Sequence, residues 1–231
     1  MATWHSVAVS HIGHRGTNED GYLEAADLRL WAVADGMGGH AHGEVASGTA
    51  LHRLKRALLD GQGLGDAVAT ANRATWEAAR KKGSDMGTTL VALQLHGDAY
   101  EVAWLGDSRA YLWHGATLRQ ITTDHTVVQD WVAQGRLSPA EARHHPYGHV
   151  LTRGVGLDRD ERPQTTSGRL GGGERFLLCS DGLTDTLDDG TIAAVATKTA
   201  DAEVPGELKQ AAQAAANPHQ DNLTAVWVYP A

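Results

Sequence analysis

The sequence predicts an α+β fold, and three observations carry the prediction. Short apolar runs with strand character are numerous, neighbouring runs are joined by tight turns, and helical stripes sit between groups of strands rather than after each one. Hairpins make antiparallel neighbours, whereas parallel sheets need a crossover helix between strands.

Residues 28–34 form the first apolar run. Residues 88–95 and Ala99–Leu105 flank Gly97-Asp98, a dipeptide suited to a tight hairpin turn. Residues 110–113 and 117–121 flank His114-Gly115-Ala116 as a second hairpin, and Arg175–Cys179 and 223–229 read as late strands. Three segments have helical spacing instead. Residues 44–59 carry Leu51, Leu54 and Leu58 on one face; 64–81 carry Val68, Ala71, Thr75 and Ala78; 204–216 carry Val204, Leu208, Ala211 and Ala215. Gly61, Gly63 and Gly65 separate the first two, and all three stripes are expected to cover sheets. Residues 124–153 differ. Val127, Val128, Trp131 and Val132 have helical spacing, and Ser138-Pro139-Ala140-Glu141 has the cap, first-turn proline and glutamate of a helix start. A His-rich stretch from His144 to His149 follows. This segment is expected to be a short helical flap beside a site. No Pro/Gly/Ser linker interrupts the chain, so residues 1–231 are expected to form a single domain.

Composition narrows the function. With 28 acidic against 20 basic residues the net charge is −8, which disfavours non-specific nucleic-acid binding. The single cysteine, Cys179, excludes an intrachain disulfide and a thiolate zinc cage, so a reducing, cytoplasmic setting is expected. No apolar run approaches the roughly 20 residues that span a bilayer. No basic-then-apolar leader opens the chain, and neither a membrane anchor nor a regulatory tail is expected.

The aspartates fall in a pattern. Asp35-Gly36 follows the run ending at Ala34, Asp181-Gly182 follows Phe176 to Ser180, Gly106-Asp107 follows Val102 to Leu105, and Asp221-Asn222 precedes the last strand. Any one Asp-Gly reads as a turn. Several at strand ends can converge on one sheet edge, where carboxylates repel unless protonated or neutralised by cations. Hard divalent ions such as Mg²⁺ and Mn²⁺ take oxygen ligands of this kind. Two such ions about 4 Å apart activate water and clamp phosphate oxygens. Arg15 is the nearest candidate to hold a phosphate bidentately.

The ordered motifs Arg15-Gly16-Thr17-Asn18-Glu19-Asp20, Val33-Ala34-Asp35-Gly36-Met37-Gly38-Gly39-His40, Met86-Gly87-Thr88-Thr89, Gly106-Asp107-Ser108-Arg109-Ala110-Tyr111, Thr122-Thr123-Asp124-His125-Thr126, His149-Val150-Leu151-Thr152-Arg153, Leu178 to Asp185 and Asp221-Asn222-Leu223-Thr224 run through nearly the whole chain. Together they resemble the metal-dependent serine/threonine protein phosphatases (PPM, or type 2C) in their compact bacterial form. The resemblance implies two packed antiparallel sheets flanked by helices, a four-layer αββα sandwich, with two Mn²⁺ or Mg²⁺ ions in a cleft at one edge and a third in some members. It implies that Asp35 bridges both ions, that the Gly36 carbonyl binds one, and that Asp181 and Asp221 complete the pair. Asp107 with Asp181 would serve the third ion, assisted by Asp185. Asp20 would bond metal-bound water, and Arg15 the substrate phosphate. The implied reaction is direct hydrolysis of phosphoserine and phosphothreonine by a bridging hydroxide, without a phosphoenzyme. Substrates would include a serine/threonine kinase or its targets, and the chain would act as a monomer away from membranes and nucleic acid. Animal members carry a histidine directly after the first Asp-Gly, proposed as general acid. Here that position is Met37; His40 or a metal-bound water is the replacement.

Other readings are weaker. The 13 histidines include no His-Glu-x-x-His pair for zinc. Cys179 follows an apolar run and is expected to be buried and inert. Ser108 lacks a Gly-x-Ser-x-Gly elbow, and residues 36–43 lack the Lys-Ser/Thr of a nucleotide cradle. A catalytically dead phosphoprotein binder would be expected to have lost ligands, yet Asp35, Gly36, Asp181 and Asp221 are all present. An enzyme for small phosphate esters would be separated from a protein phosphatase by comparing phosphopeptide with free phosphoserine.

Overall fold

The computed structural model describes residues 3–38, 42–115, 117–143 and 145–231. Two antiparallel sheets stack face to face. The first runs in the order β1 (Trp4–His11), β11 (Leu223–Pro230), β10 (Arg175–Cys179), β7 (Arg109–His114), β8 (Thr117–Gln120). The second runs β2 (Asp20–Ala25), β3 (Leu30–Met37), β5 (Leu90–His96), β6 (Ala99–Leu105), β9 (Gln164–Arg169), with the short β4 (Gly87–Thr88) paired to the end of β3.

Strand periodicity explains the layering, because alternate side chains of one strand face opposite ways. On β3, Trp31 and Val33 join Phe176, Leu178, Val226 and Val228 between the sheets. Leu30, Ala32 and Ala34 point the other way, against Leu54, Leu64 and Val68 of α1 (Gly43–Leu59) and α2 (Leu64–Lys82). On the far side, Leu177 and Trp227 pack against Ile192 of α6 (Asp189–Lys198) and Leu208 of α7 (Val204–Ala214). The result is the expected four-layer sandwich. Strands buried on both faces read as continuous apolar runs, which is why β3 and β10 stand out in the sequence.

The boundaries differ from expectation where backbone geometry intervenes. The strand expected from residue 28 begins at Leu30, because Arg29 takes a left-handed conformation at φ 49° after a single 3₁₀ turn at Ala26–Leu28. The run expected over 88–95 is split, with Thr89 between β4 and β5. The last helix stops at Ala214 rather than residue 216. Strands β1, β2 and β9 and helix α6 had no sequence expectation. Asp35-Gly36 is not a turn: both residues lie inside β3, where Asp35 faces Asp20 of β2 and Gly36 faces Thr88 of β4.

The flap contains α3 (Val127–Ala133) and α4 (Pro139–Ala142). Thr126 caps α3 by accepting from the Gln129 amide, and Ser138 and Glu141 form a reciprocal capping box on α4. An antiparallel bridge between Thr126 and Leu151 closes its base.

Candidate active site

Arg15, Asp35, Gly36, Asp107, Asp181 and Asp221 line one cleft of about 530 Å³, to which the flap contributes His149 and Leu151. Apart from the adjacent Asp35 and Gly36 of β3, each arrives on a different piece of scaffold. Asp35 is fixed through its backbone: its amide donates to Thr89 Oγ1 (3.0 Å), while its carbonyl accepts from the Thr89 amide (2.8 Å) and Thr88 Oγ1 (2.8 Å). The Met86-Gly87-Thr88-Thr89 motif therefore anchors this carboxylate. Gly36 is required sterically, since a Cβ there would sit 2.2 Å from the Gly43 carbonyl oxygen. Asp181 opens the short α5 (Asp181–Thr184), and Asp107 sits in the turn between β6 and β7.

The carboxyls are crowded, and those of Asp20, Asp35 and Asp107 are largely shielded from water. Burial first, then the charges of Asp181, Asp20 and Asp107, hold Asp35 well above the ordinary carboxylate range. Asp107 is likewise raised, by burial and then by Asp181 and Asp124. Asp20, facing Asp35 across the β2–β3 pair, rises to about 7, chiefly through burial. Ser180 Oγ donates to Asp20 Oδ2 at 2.7 Å and itself accepts from the Thr224 amide. Asp20 Oδ1 and Asp181 Oδ1 are both buried without a hydrogen-bond partner. Orphaned carboxylate oxygens are costly in a protein interior. An orphaned oxygen on Asp181, in a cleft that Asp35, Asp107 and Asp221 also line, belongs to the donor set that a hard divalent cation takes, so the residues present fit Mn²⁺ or Mg²⁺.

Arg15 is committed elsewhere than expected. Its Nε donates to Asp221 Oδ1 at 2.7 Å and its Nη2 to Asp221 Oδ2, so the expected phosphate ligand is paired with an expected metal ligand. That bidentate hydrogen bond is the main reason its pKa rises. Asn222 organises the loop beneath: its Nδ2 donates to the Ile12 and Thr17 carbonyls, and its Oδ1 accepts from the Glu19 amide. Asp185 lies beside Asp181 in an adjoining cleft, with its pKa raised chiefly by burial.

His149 carried no expected site role. Its Nδ1 lies 3.2 Å from Asp185 Oδ2 and 3.7 Å from Asp181 Oδ2, and the carboxylates of Asp181 and then Asp185 raise its pKa to about 10. Ligand atoms of His149, Asp181 and Asp185 fall within 4.8 Å of one another. No local spacing signals this, because the flap must fold back over α5 to create it. His40 lies outside the described residues. Cys179 is fully buried and pushed up to about 12 by burial, so it is inert. Ser108 Oγ is spent on a 2.6 Å hydrogen bond with Thr89 Oγ1.

A family model described as protein phosphatase 2C matches residues 8–214. The serine/threonine protein phosphatase PstP of Mycobacterium tuberculosis is 38% identical over 222 residues, which is 92% of this chain and 42% of that protein. The chain thus spans about two fifths of the length of that relative. The serine/threonine phosphatase stp of Listeria monocytogenes is 33% identical over 77% of this chain and 76% of its own. Among solved structures, the catalytic domain of PstP in complex with 2 manganese ions superimposes with a TM-score of 0.88 at 35% identity, covering 100% of this chain and 99% of that one.

Proposed function

The chain belongs to the protein phosphatase 2C family, and we propose that it is a metal-dependent phosphatase acting on phosphoserine and phosphothreonine in proteins. The observation that carries the reading is the one cleft that Asp35, Asp107, Asp181 and Asp221 all line, with a buried Asp181 oxygen that lacks a partner. Asp35, the Gly36 carbonyl, Asp181 and Asp221 would hold two Mn²⁺ or Mg²⁺ ions, and Asp107 with Asp181 and Asp185 a third. When bound, the metals supply water activation near neutral pH and charge neutralisation on the phosphate.

The chain's own residues do the rest. Asp20, supported by Ser180 and paired across the strands with Asp35, would offer a hydrogen-bond acceptor beside that carboxylate. Arg15 offers a planar fork that matches phosphate as well as it matches Asp221, and with Asp221 serving as a metal ligand the fork would be available to the substrate. We take residues 1–231 as one catalytic domain, a monomer in the cytoplasm, whose substrates include a serine/threonine kinase or its targets. No described helix is long and apolar enough to cross a membrane.

The test is phosphate release from a phosphothreonine peptide and from free phosphoserine, with Mn²⁺ and with EDTA. Release from the peptide that requires Mn²⁺ is the expected result; folded protein that binds Mn²⁺ yet releases nothing would overturn the reading. In the same assay Arg15→Ala is expected to raise KM about 10- to 100-fold, the worth of a charge-assisted bidentate contact, with a smaller change in kcat. Its exposed pairing with Asp221 contributes little stability, so the melting temperature should barely move. A loss confined to kcat would contradict ground-state phosphate binding.

A further inference from the structure

The Thr122-Thr123-Asp124-His125-Thr126 motif has no role in the chemistry above, yet every residue in it is engaged. Thr122 Oγ1 accepts from the Ala110 amide, the Thr123 carbonyl accepts from Trp104 Nε1, and Asp124 receives Arg109 through both Nε and Nη2. His125 makes the closest link. Its amide donates to the Gly106 carbonyl at 3.0 Å, and its Nδ1 accepts from the Gly106 amide at 3.1 Å. The turn that aims Asp107 into the cleft is thus gripped reciprocally, by the main chain and the side chain of one residue.

That grip matters because the turn is tight and depends on glycine. Gly106 sits at φ +104°, and a Cβ there would lie 2.6 Å from Thr89. The position next to it, Asp107, is almost wholly buried. Without Nδ1, the Gly106 amide would be a buried donor without an acceptor. The same histidine also holds the flap. Its carbonyl accepts from the Thr152 amide at 2.8 Å, and the bridge between Thr126 and Leu151 follows directly. Because Nδ1 accepts, the ring proton of the neutral imidazole is on Nε2, where it donates to Gln164 Oε1 at 2.9 Å. Stacking on Trp104, at 6.1 Å and 11°, fixes the ring plane. Burial, and the nearby Arg153 guanidinium, lower the pKa of the ring.

We propose that His125 is a positioning residue that sets the aim of Asp107 for the weaker, third metal ion and locks the base of the flap to the same turn. The proposal rests on the metal-dependent phosphatase reading, but it is tested by metal binding rather than turnover. Groups that orient ligands from outside the metal's own shell are worth about 10- to 100-fold in affinity.

The experiment is Mn²⁺ titration of the full chain by calorimetry, with amide exchange at Gly106, for wild type, His125→Ala and His125→Asn. The Asn Oδ1 stands where Nδ1 stood, so it preserves the acceptor for Gly106 while losing the link to Gln164. Wild type is expected to take two ions tightly and a third weakly. His125→Ala should keep the two tight ions, weaken the third about 10- to 100-fold, and expose the Gly106 amide to exchange. His125→Asn should bind the third ion within about threefold of wild type, even if both variants melt at the same lowered temperature. The proposal is overturned if His125→Ala binds the third ion as wild type does, if His125→Asn is as defective as His125→Ala, or if wild type takes no third ion. Should His125→Ala fail to fold, the Asn variant decides: third-ion binding near wild type supports the role, and its loss overturns it. Absence of turnover in wild type with this binding pattern intact would strike the phosphatase reading alone.

Discussion

Asp35→Asn is expected to abolish phosphate release, by on the order of 10³-fold or more, while making the metal-free protein more stable at neutral pH. Both effects have one cause. Asp35 is buried and faces Asp181, Asp20 and Asp107, so its carboxyl is held well above the range it has in an unfolded chain. A carboxyl raised on folding binds more protons in the native state than in the unfolded one. Stability then falls as pH rises from the unfolded value of about 4 through the folded value. At pH 7 the metal-free wild type carries that penalty, and the amide does not. The gain should shrink as the pH falls towards about 4 and vanish below it, where the unfolded carboxyl becomes protonated as well. Thermal melts in EDTA at pH 4 and pH 7.5 measure it, with roughly 2–4 °C expected per kcal/mol recovered in a chain of this size. Added Mn²⁺ should reverse the order, raising wild type more than the variant. A variant that loses activity and is also less stable without metal would mean that Asp35 is a structural group, not a repelled carboxylate held for a cation.

That opposition between stability and function is what made part of the site readable. Aspartates placed at the ends of apolar strands are poor choices for packing, and their recurrence at four places was a chemical signal independent of any resemblance. What they do locally was less readable. Asp35-Gly36 carries the composition of a turn, yet β4 supplies a hydrogen-bonding partner for Gly36 and the strand continues through it. Among the strands, β3 and β10 were legible because both their faces are buried. The edge strand β9, with the sequence Gln-Thr-Thr-Ser-Gly-Arg, exposes most of its side chains, and pairing with β6 alone makes it a strand. The supporting groups were invisible for a further reason. Ser180 meets Asp20, Asn222 meets Glu19 and Thr17, and His149 meets Asp185 only after residues far apart in the chain are brought together. No spacing rule encodes such contacts. The Arg15–Asp221 pair is of the same kind: each residue was a candidate, and their commitment to one another emerged from the fold.

Gly182→Ala is expected to be among the most damaging single methyl additions in the chain. A Cβ at this position would stand 2.0 Å from the Asn222 carbonyl oxygen and 2.9 Å from its carbon. Both are main-chain atoms at the entry to β11, so no side-chain rotation relieves the overlap. The Gly182 carbonyl is also tied to Gln220 Nε2 at 2.7 Å, which holds the start of α5 against the 220–222 loop. The methyl must therefore push α5 and that loop apart. Asp181 leads the one and Asp221 sits in the other, so the two carboxylates separate as the clash relaxes. Overpacking a well-filled interior typically costs about 1–3 kcal/mol, and a main-chain clash of this depth belongs at the upper end. Urea unfolding should show that loss with an unchanged slope. Mn²⁺ affinity should fall with it, since a displacement of about 1 Å in ligand position is enough to weaken a metal site or cost about 100-fold in rate. Gly48 supplies the comparison. It is exposed in the middle of α1, and a methyl added there would meet nothing within 4 Å. There the same substitution should stabilise by about 0.5–1 kcal/mol, because alanine loses less backbone freedom in a helix. If Gly182→Ala unfolds and binds Mn²⁺ as Gly48→Ala does, close contact between α5 and the 220–222 loop is not what holds Asp181 and Asp221 in one cleft.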